Sequence, residues 1–275
     1  ATASARPKQF IGLHFFSPVD KMPLVEIICG AETDDATLAK AFDYVLQIKK
    51  TPIVVNDSRG FYTSRVFSTY VMEGIAMLGE GQHPHVIEMA GLKAGMPVGP
   101  LALTDEVSLK LMDHIRKQTE KDLQAEGKSV PFHPGFAVCE KMLAANRPGK
   151  AAGAGFYEYP QGGTKFLYPD LIKMFPQQTP LAQQEMIDRI LVVQALDTVR
   201  CLEEGVLRSV ADANIGSIFG WGFSPFNGGT LQYINGVGLK NVIEKAKQLE
   251  AKYGERFSVP KLLQEKADKG ELFVD

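Results

Sequence analysis

The spacing of apolar and polar positions changes near residue 60. Before it, Phe10 to Phe16, Leu24 to Ile28 and Pro52 to Val55 are apolar runs of strand length, and Pro18 bounds the first. Between the second and third runs, Leu38, Ala41, Phe42, Val45 and Ile48 recur at a helical period. Thr33 or Asp34 can cap that helix. The pattern predicts strand–strand–helix–strand in about 56 residues, too few for an independent α/β domain.

After Gly60 the pattern is helical. Phe61 to Leu78 predicts a long helix that ends near Gly79 and Gly81. His85 to Ala90 continues helically, and Gly95-Met96-Pro97-Val98-Gly99-Pro100 is a tight break. Ala102 to Leu123 reads as one helix with Asp105, Glu106, Lys110 and Asp113 on solvated faces. Gly153 to Tyr159 reads as a turn and a short extended piece, and Leu181 to Glu204 as a second long helix. The segment between, Gln161 to Pro180, is rich in Pro, Gly and Gln and reads as a linker. Phe61, Phe67, Phe156 and Phe223 read as core. A faint internal repeat is present. Leu78-Gly79-Glu80-Gly81 and Val86-Ile87-Glu88 match Leu202-Glu203-Glu204-Gly205 and Val210-Ala211-Asp212 at an offset of 124 residues. Two related helical units are its simplest explanation.

Composition narrows the picture. The chain has 275 residues, 45% hydrophobic and 23% charged, enough to bury a real core. A net charge of −2 leaves no electrostatic footprint for nucleic acid or an anionic membrane. No apolar run approaches the roughly 20 residues of a membrane span. Cys29, Cys139 and Cys201 are scattered, with no C-x-x-C pair, so a reducing compartment is expected rather than a disulfide framework or a zinc site. His83-Pro84-His85 has no carboxylate or cysteine cluster beside it, and no metal site is expected.

The chemistry concentrates early. Gly12-Leu13-His14-Phe15-Phe16-Ser17-Pro18 ends an apolar run in a histidine and a turn, and Met22-Pro23-Leu24-Val25-Glu26 opens the next run with a lone glutamate. Two short strands joined by that turn could bring the imidazole and the carboxylate together. A carboxylate beside an imidazole fixes its tautomer and favours its charged form, which makes a competent general base.

This stretch closely resembles the catalytic segment of the L-3-hydroxyacyl-CoA dehydrogenases. Its Ser17-Pro18-Val19-Asp20-Lys21-Met22 version most resembles the alpha subunits of multifunctional fatty-acid β-oxidation enzymes. The resemblance implies His14 as catalytic base and Glu26 as its partner. It extends to Asp57-Ser58-Arg59-Gly60-Phe61-Tyr62-Thr63-Ser64-Arg65, where Ser64 stands in place of an Asn that helps hold substrate in many members. It places Ser17 close to the nicotinamide of NAD. The implied reaction is NAD-dependent oxidation of an L-3-hydroxyacyl-CoA to the 3-ketoacyl-CoA in fatty-acid β-oxidation.

The implied fold is mainly α. A duplicated helical C-terminal dehydrogenase domain follows the last strands and helix of a truncated Rossmann-type α/β NAD-binding domain. The expected boundaries are 1–57 for the NAD-domain remnant, 58–160 for the first helical copy, 161–180 for a linker and 181–275 for the second copy. No G-x-G-x-x-G turn is present, and Gly153-Ala154-Gly155 lacks both the third glycine and a βαβ setting. The chain is therefore expected to be the C-terminal part of a longer polypeptide, inactive without its nucleotide domain. Ala1-Thr2-Ala3-Ser4-Ala5-Arg6 could pass for the tail of a transit peptide, but the resemblance places it in a helix just before the histidine strand.

The implied partners are the acyl-CoA substrate, an upstream enoyl-CoA hydratase region, a thiolase subunit and a second copy in a homodimer. The expected compartment is the bacterial cytoplasm, with the mitochondrial matrix as alternative. Two other readings compete: a non-catalytic helical scaffold of a β-oxidation complex, and a different β-hydroxyacid dehydrogenase. Retention of both His14 and Glu26 favours the enzyme over the scaffold, and the Gly12–Pro18 string disfavours the third reading.

Overall fold

The computed structural model describes residues 4–275, so Ala1 to Ala3 of the N-terminal reading lie outside the described residues. In chain order come β1 (Ile11–Phe15), β2 (Leu24–Cys29), α1 (Asp35–Gln47), β3 (Thr51–Asn56), α2 (Thr63–Gly79), α3 (Pro84–Lys93), α4 (Pro100–Val107), α5 (Leu109–Ala125) and α6 (Gly135–Ala144). Then follow β4 (Tyr157–Glu158), β5 (Phe166–Leu167), α7 (Leu171–Met174), α8 (Gln183–Glu203), α9 (Val210–Trp221), α10 (Thr230–Val237), α11 (Leu239–Tyr253) and α12 (Lys261–Lys269). No described helix is long and apolar enough to cross a membrane.

The strand–strand–helix–strand block forms as the pattern predicts. β1 and β2 are antiparallel and place His14 directly opposite Glu26, and β2 and β3 are parallel across the α1 connection. Alternation along the strands divides the sheet. Ile11, Leu13, Phe15, Val25 and Ile27 pack on Leu38, Ala41 and Val45 of α1. His14, Leu24 and Glu26 alternate with these and take the opposite face. Of the two candidate caps, Asp34 caps α1 by accepting from the Thr37 N–H at 2.7 Å. Thr33 instead ties the strand ends, accepting from Gly30 N–H and donating to the Phe10 carbonyl. Phe42 departs from the expected stripe and is exposed.

The chain divides into two compact units. One holds the described residues through Thr69 together with Leu191–Asp275, and the other holds Tyr70–Ile190. In the first, α9 lies against the sheet. A Cβ on Gly216 would stand 2.8 Å from Ile53 Cδ1, and one on Gly220 would stand 3.1 Å from Leu24 Cδ2, so only glycine admits this approach without displacement. The backbone of Val206 accepts from Asn56 N–H at 2.9 Å, and Leu207 bridges Val55, which occupies the free edge of β3.

In the second unit, the single helix expected over Ala102 to Leu123 is two. Ser108 takes φ 81°, outside helical space, and separates α4 from α5. Asp105 is buried rather than solvated. It accepts from the Phe156 and Tyr157 N–H groups and from the Tyr159 hydroxyl, each at 2.9 Å. Within residues 161–180, Leu171 and Phe175 are buried. Phe156 is fully buried in this unit, as is Phe223 in the first, whereas Phe61 and Phe67 are only half-buried.

The repeat has a structural counterpart. In one unit Arg65 pairs with Asp197 at 3.2 Å and Glu204 at 2.5 Å. In the other, Arg189 pairs with Glu73 and Glu80, each at 2.5 Å. Positions 65 and 189, 73 and 197, and 80 and 204 all stand at the repeat offset of 124 residues. Each arginine therefore takes the acids of the other copy, the reciprocity of an isologous contact. Gly81 and Gly205, one residue past the acids, both adopt left-handed backbone, φ 82° and 72°.

Candidate active site

The sheet register brings together the two residues whose spacing allowed it. His14 and Glu26 are cross-strand partners, and His14 Nδ1 lies 2.8 Å from Glu26 Oε2. An ionised carboxylate only accepts, so the imidazole donates from Nδ1 and a neutral ring carries its lone pair on Nε2. Phe16 and Phe61 flank the ring at centroid distances of 4.5 and 5.8 Å. The His14 side chain keeps 29% of its surface exposed, while Glu26 has none.

A carboxylate with no exposure needs donors to replace water. Glu26 finds them at the start of α2. Its Oε1 accepts from Tyr62 N–H at 2.9 Å and Thr63 N–H at 3.1 Å. Its Oε2 accepts from the Thr63 hydroxyl at 2.8 Å as well as from His14. The first amides of a helix lack intrahelical partners and carry the positive end of the dipole, so the seat suits an anion. Gly60 and Phe61 both take positive φ, 77° and 49°, and this turn aims the next two amides at Glu26. Left-handed backbone is uncommon for a residue as bulky as Phe61. Tyr62 and Thr63 are the partners of Glu26 that spacing alone missed. Their signal was a threonine opening a helix just after a Gly-Phe turn.

The two serines stand apart from the pair. Ser17 is exposed in the turn after β1, and Ser64 is exposed in the first turn of α2. Among the described residues neither hydrogen-bonds to His14 or Glu26. Lys50 steadies the turn that carries Ser17, donating to the Val19 and Met22 carbonyls at 2.5 and 2.6 Å.

Residues 1–58 match the NAD binding domain of 3-hydroxyacyl-CoA dehydrogenase, and residues 60–159 match the C-terminal domain of the same enzymes. The chain belongs to the 3-hydroxyacyl-CoA dehydrogenase family. Among curated proteins it is 39% identical to the fatty acid oxidation complex subunit alpha of Shewanella loihica and 38% identical to that of Shewanella amazonensis. Those matches take in 100% and 99% of this chain, but the chain spans only 38% of the length of each relative. Among solved structures, 3-hydroxybutyryl-CoA dehydrogenase from Escherichia coli is similar with a TM-score of 0.75 at 20% identity, covering 94% of this chain and 70% of that one. The dehydrogenase part of multifunctional enzyme 1 from C. elegans gives 0.66, also at 20% identity, covering 96% and 61%. At that identity the structures show a shared fold.

The family's dinucleotide sets a test for the described residues. A diphosphate seats on a helix N-terminus behind a glycine-rich strand-to-helix turn. The turn from β2 to α1 holds Glu32, Asp34 and Asp35, and Asp34 already caps the helix. The turn from β3 to α2 is taken by the Glu26 carboxylate. Both seats are filled by the chain's own anions, so the diphosphate does not fit either one. Among the described residues no group of three or more His, Cys, Asp or Glu could hold a metal ion.

Proposed function

We propose that this chain carries the acid–base centre of an NAD-dependent L-3-hydroxyacyl-CoA dehydrogenase of fatty-acid β-oxidation, with His14 as base and Glu26 as its partner. The observation that carries the reading is the 2.8 Å bond from His14 Nδ1 to a fully buried carboxylate in a chain of this family. NAD bound by the full gene product would supply the hydride acceptor for C3 of the substrate. His14 Nε2 takes the C3 hydroxyl proton, and Glu26 holds the ring in the tautomer that can do so and balances the cation that results. Ser64 would contact the substrate and Ser17 the nicotinamide end of the cofactor. The grip on the phosphates belongs to other residues of the full gene product.

The same reading includes the remaining expectations. The four-segment division at 57, 160 and 180 is the domain plan we propose. The relatives' length accords with further regions, and we propose an enoyl-CoA hydratase region as one of them. A thiolase subunit and a second copy are the proposed partners, and the bacterial cytoplasm the proposed compartment.

The test is acetoacetyl-CoA reduction by the full gene product, followed by NADH absorbance. His14→Ala should lower turnover by about 10²–10⁴-fold, the worth of a positioned base, with an unchanged thermal melt. Full turnover in that variant would remove the assignment.

A further inference from the structure

Glu26 is held by two kinds of donor. Oε1 rests on two backbone amides, which no side-chain substitution removes. Oε2, the oxygen that meets the imidazole, is held on its other side by one hydroxyl, that of Thr63. The terminal torsion of a glutamate is broad and does not fix the carboxylate plane by itself. With the hydroxyl gone, Oε1 would stay anchored while the position of Oε2 would rest on the ring it is supposed to orient.

Thr63 is in turn fixed from behind. It is buried, and its Cγ2 lies 3.2 Å from the point where a Cβ on Gly220 would stand. Tyr62, whose amide holds Oε1, is fixed by the same helix. Its hydroxyl donates to the Ala213 carbonyl at 2.8 Å, its ring meets Trp221 edge-on at 5.4 Å, and a Cβ on Gly216 would fall 2.9 Å from its Cε1. Both residues that seat the carboxylate are thus backed by α9, roughly 150 positions further along the chain.

We infer that Thr63 is a positioning residue for the His14–Glu26 pair, and that α9 sets its place through Gly220. The kinetic consequence rests on the dehydrogenase reading; the orientation of the imidazole does not. An ordinary threonine that merely opens a helix would have no such effect on the ring.

Thr63→Val keeps the methyl that faces Gly220 and removes only the donor. In the full gene product, kcat for acetoacetyl-CoA reduction should fall about ten- to hundredfold, while KM moves less than about twofold, the mark of an interaction made in the transition state. Thr63→Ser should restore kcat to within about threefold, because the hydroxyl returns. Nitrogen-15 NMR of labelled histidine, with the His14 signal assigned by its loss in His14→Asn, should show a single Nδ1-protonated tautomer in the parent. A mixture should appear in Thr63→Val. Gly220→Ala, whose new methyl must push Thr63 by a few tenths of an ångström, should give a weaker form of both changes. It carries the test if Thr63→Val does not fold. Retained kcat together with a single tautomer would overturn the proposal. So would a lower melting temperature with neither change, which is what a structural role alone would give. If His14→Ala leaves turnover intact, the dehydrogenase reading fails, and the tautomer measurement still decides the role of Thr63.

Discussion

Three buried carboxylates in this chain use one physical device. Glu26 sits on the first amides of α2, Glu88 on those of α4 through Leu101 and Ala102, and Asp105 on the amides of Phe156 and Tyr157. What separates Glu26 is its remaining partner, a partly exposed imidazole, where Glu88 and Asp105 have the tyrosine hydroxyls of residues 157 and 159. The two structural sites give a pH signature. Burial, opposed by the bonds from Tyr157, Leu101 and Ala102, raises the Glu88 carboxyl above the usual glutamate range. The folded chain then holds that proton more tightly than the unfolded chain. The contribution to stability is complete below the unfolded glutamate range and is lost as pH rises through the folded value. Urea unfolding at a series of pH values across that window should show the loss, and Glu88→Gln should flatten it. An unchanged slope in the variant would contradict the assignment.

At the scale of elements, the two repeat-related arginines look equivalent in sequence and are unequal in energy. Arg189 and Glu73 are wholly buried, whereas Arg65 keeps 21% of its side chain exposed and its partner Glu204 keeps 50%. Removing one member of a buried pair leaves an uncompensated charge and costs about 3–5 kcal/mol. A solvent-screened pair is worth about 0–1 kcal/mol. Arg189→Ala should therefore lower unfolding free energy several times more than Arg65→Ala, as read by denaturant midpoints at constant slope. Equal losses would show that exposure is not the deciding quantity. The Arg65 pair also has an acid limit. Its hydrogen bonds hold Glu204 below the usual glutamate range, so its contribution is present above that range and is lost as pH falls through the folded value.

For the whole molecule, the first compact unit joins two separate stretches of chain, and the second is one stretch that ends inside α8. The sheet and the start of α2 are completed by residues after 190, and Tyr70–Ile190 includes the first turns of α8. A chain ending at the proposed linker would keep the whole first copy in sequence. It would lose Arg189 from beside Glu73 and Glu80, and α9 from behind Tyr62 and Thr63. Such a truncation at Pro180 should not give a folded monomer. Size-exclusion chromatography and circular dichroism should show an associated or loosely packed species. A cooperative monomeric melt would mean that the first copy is self-sufficient.

The sequence by itself determined the local elements and pointed to the His14–Glu26 pair. Period-2 and period-3.6 patterns are written in adjacent residues, and two apolar runs joined by a turn allow His14 and Glu26 to meet across the strands. It also carried the duplication, because repeated residues at a fixed offset need no folding to be seen. Tertiary structure decided what distant residues do to each other. That Asp105 is buried, that Ala102 to Leu123 breaks at Ser108, that the arginines exchange acids between copies and that α9 backs the carboxylate seat all depend on contacts between residues far apart in sequence. Periodicity records which face of an element is apolar, and it is silent on which element covers that face.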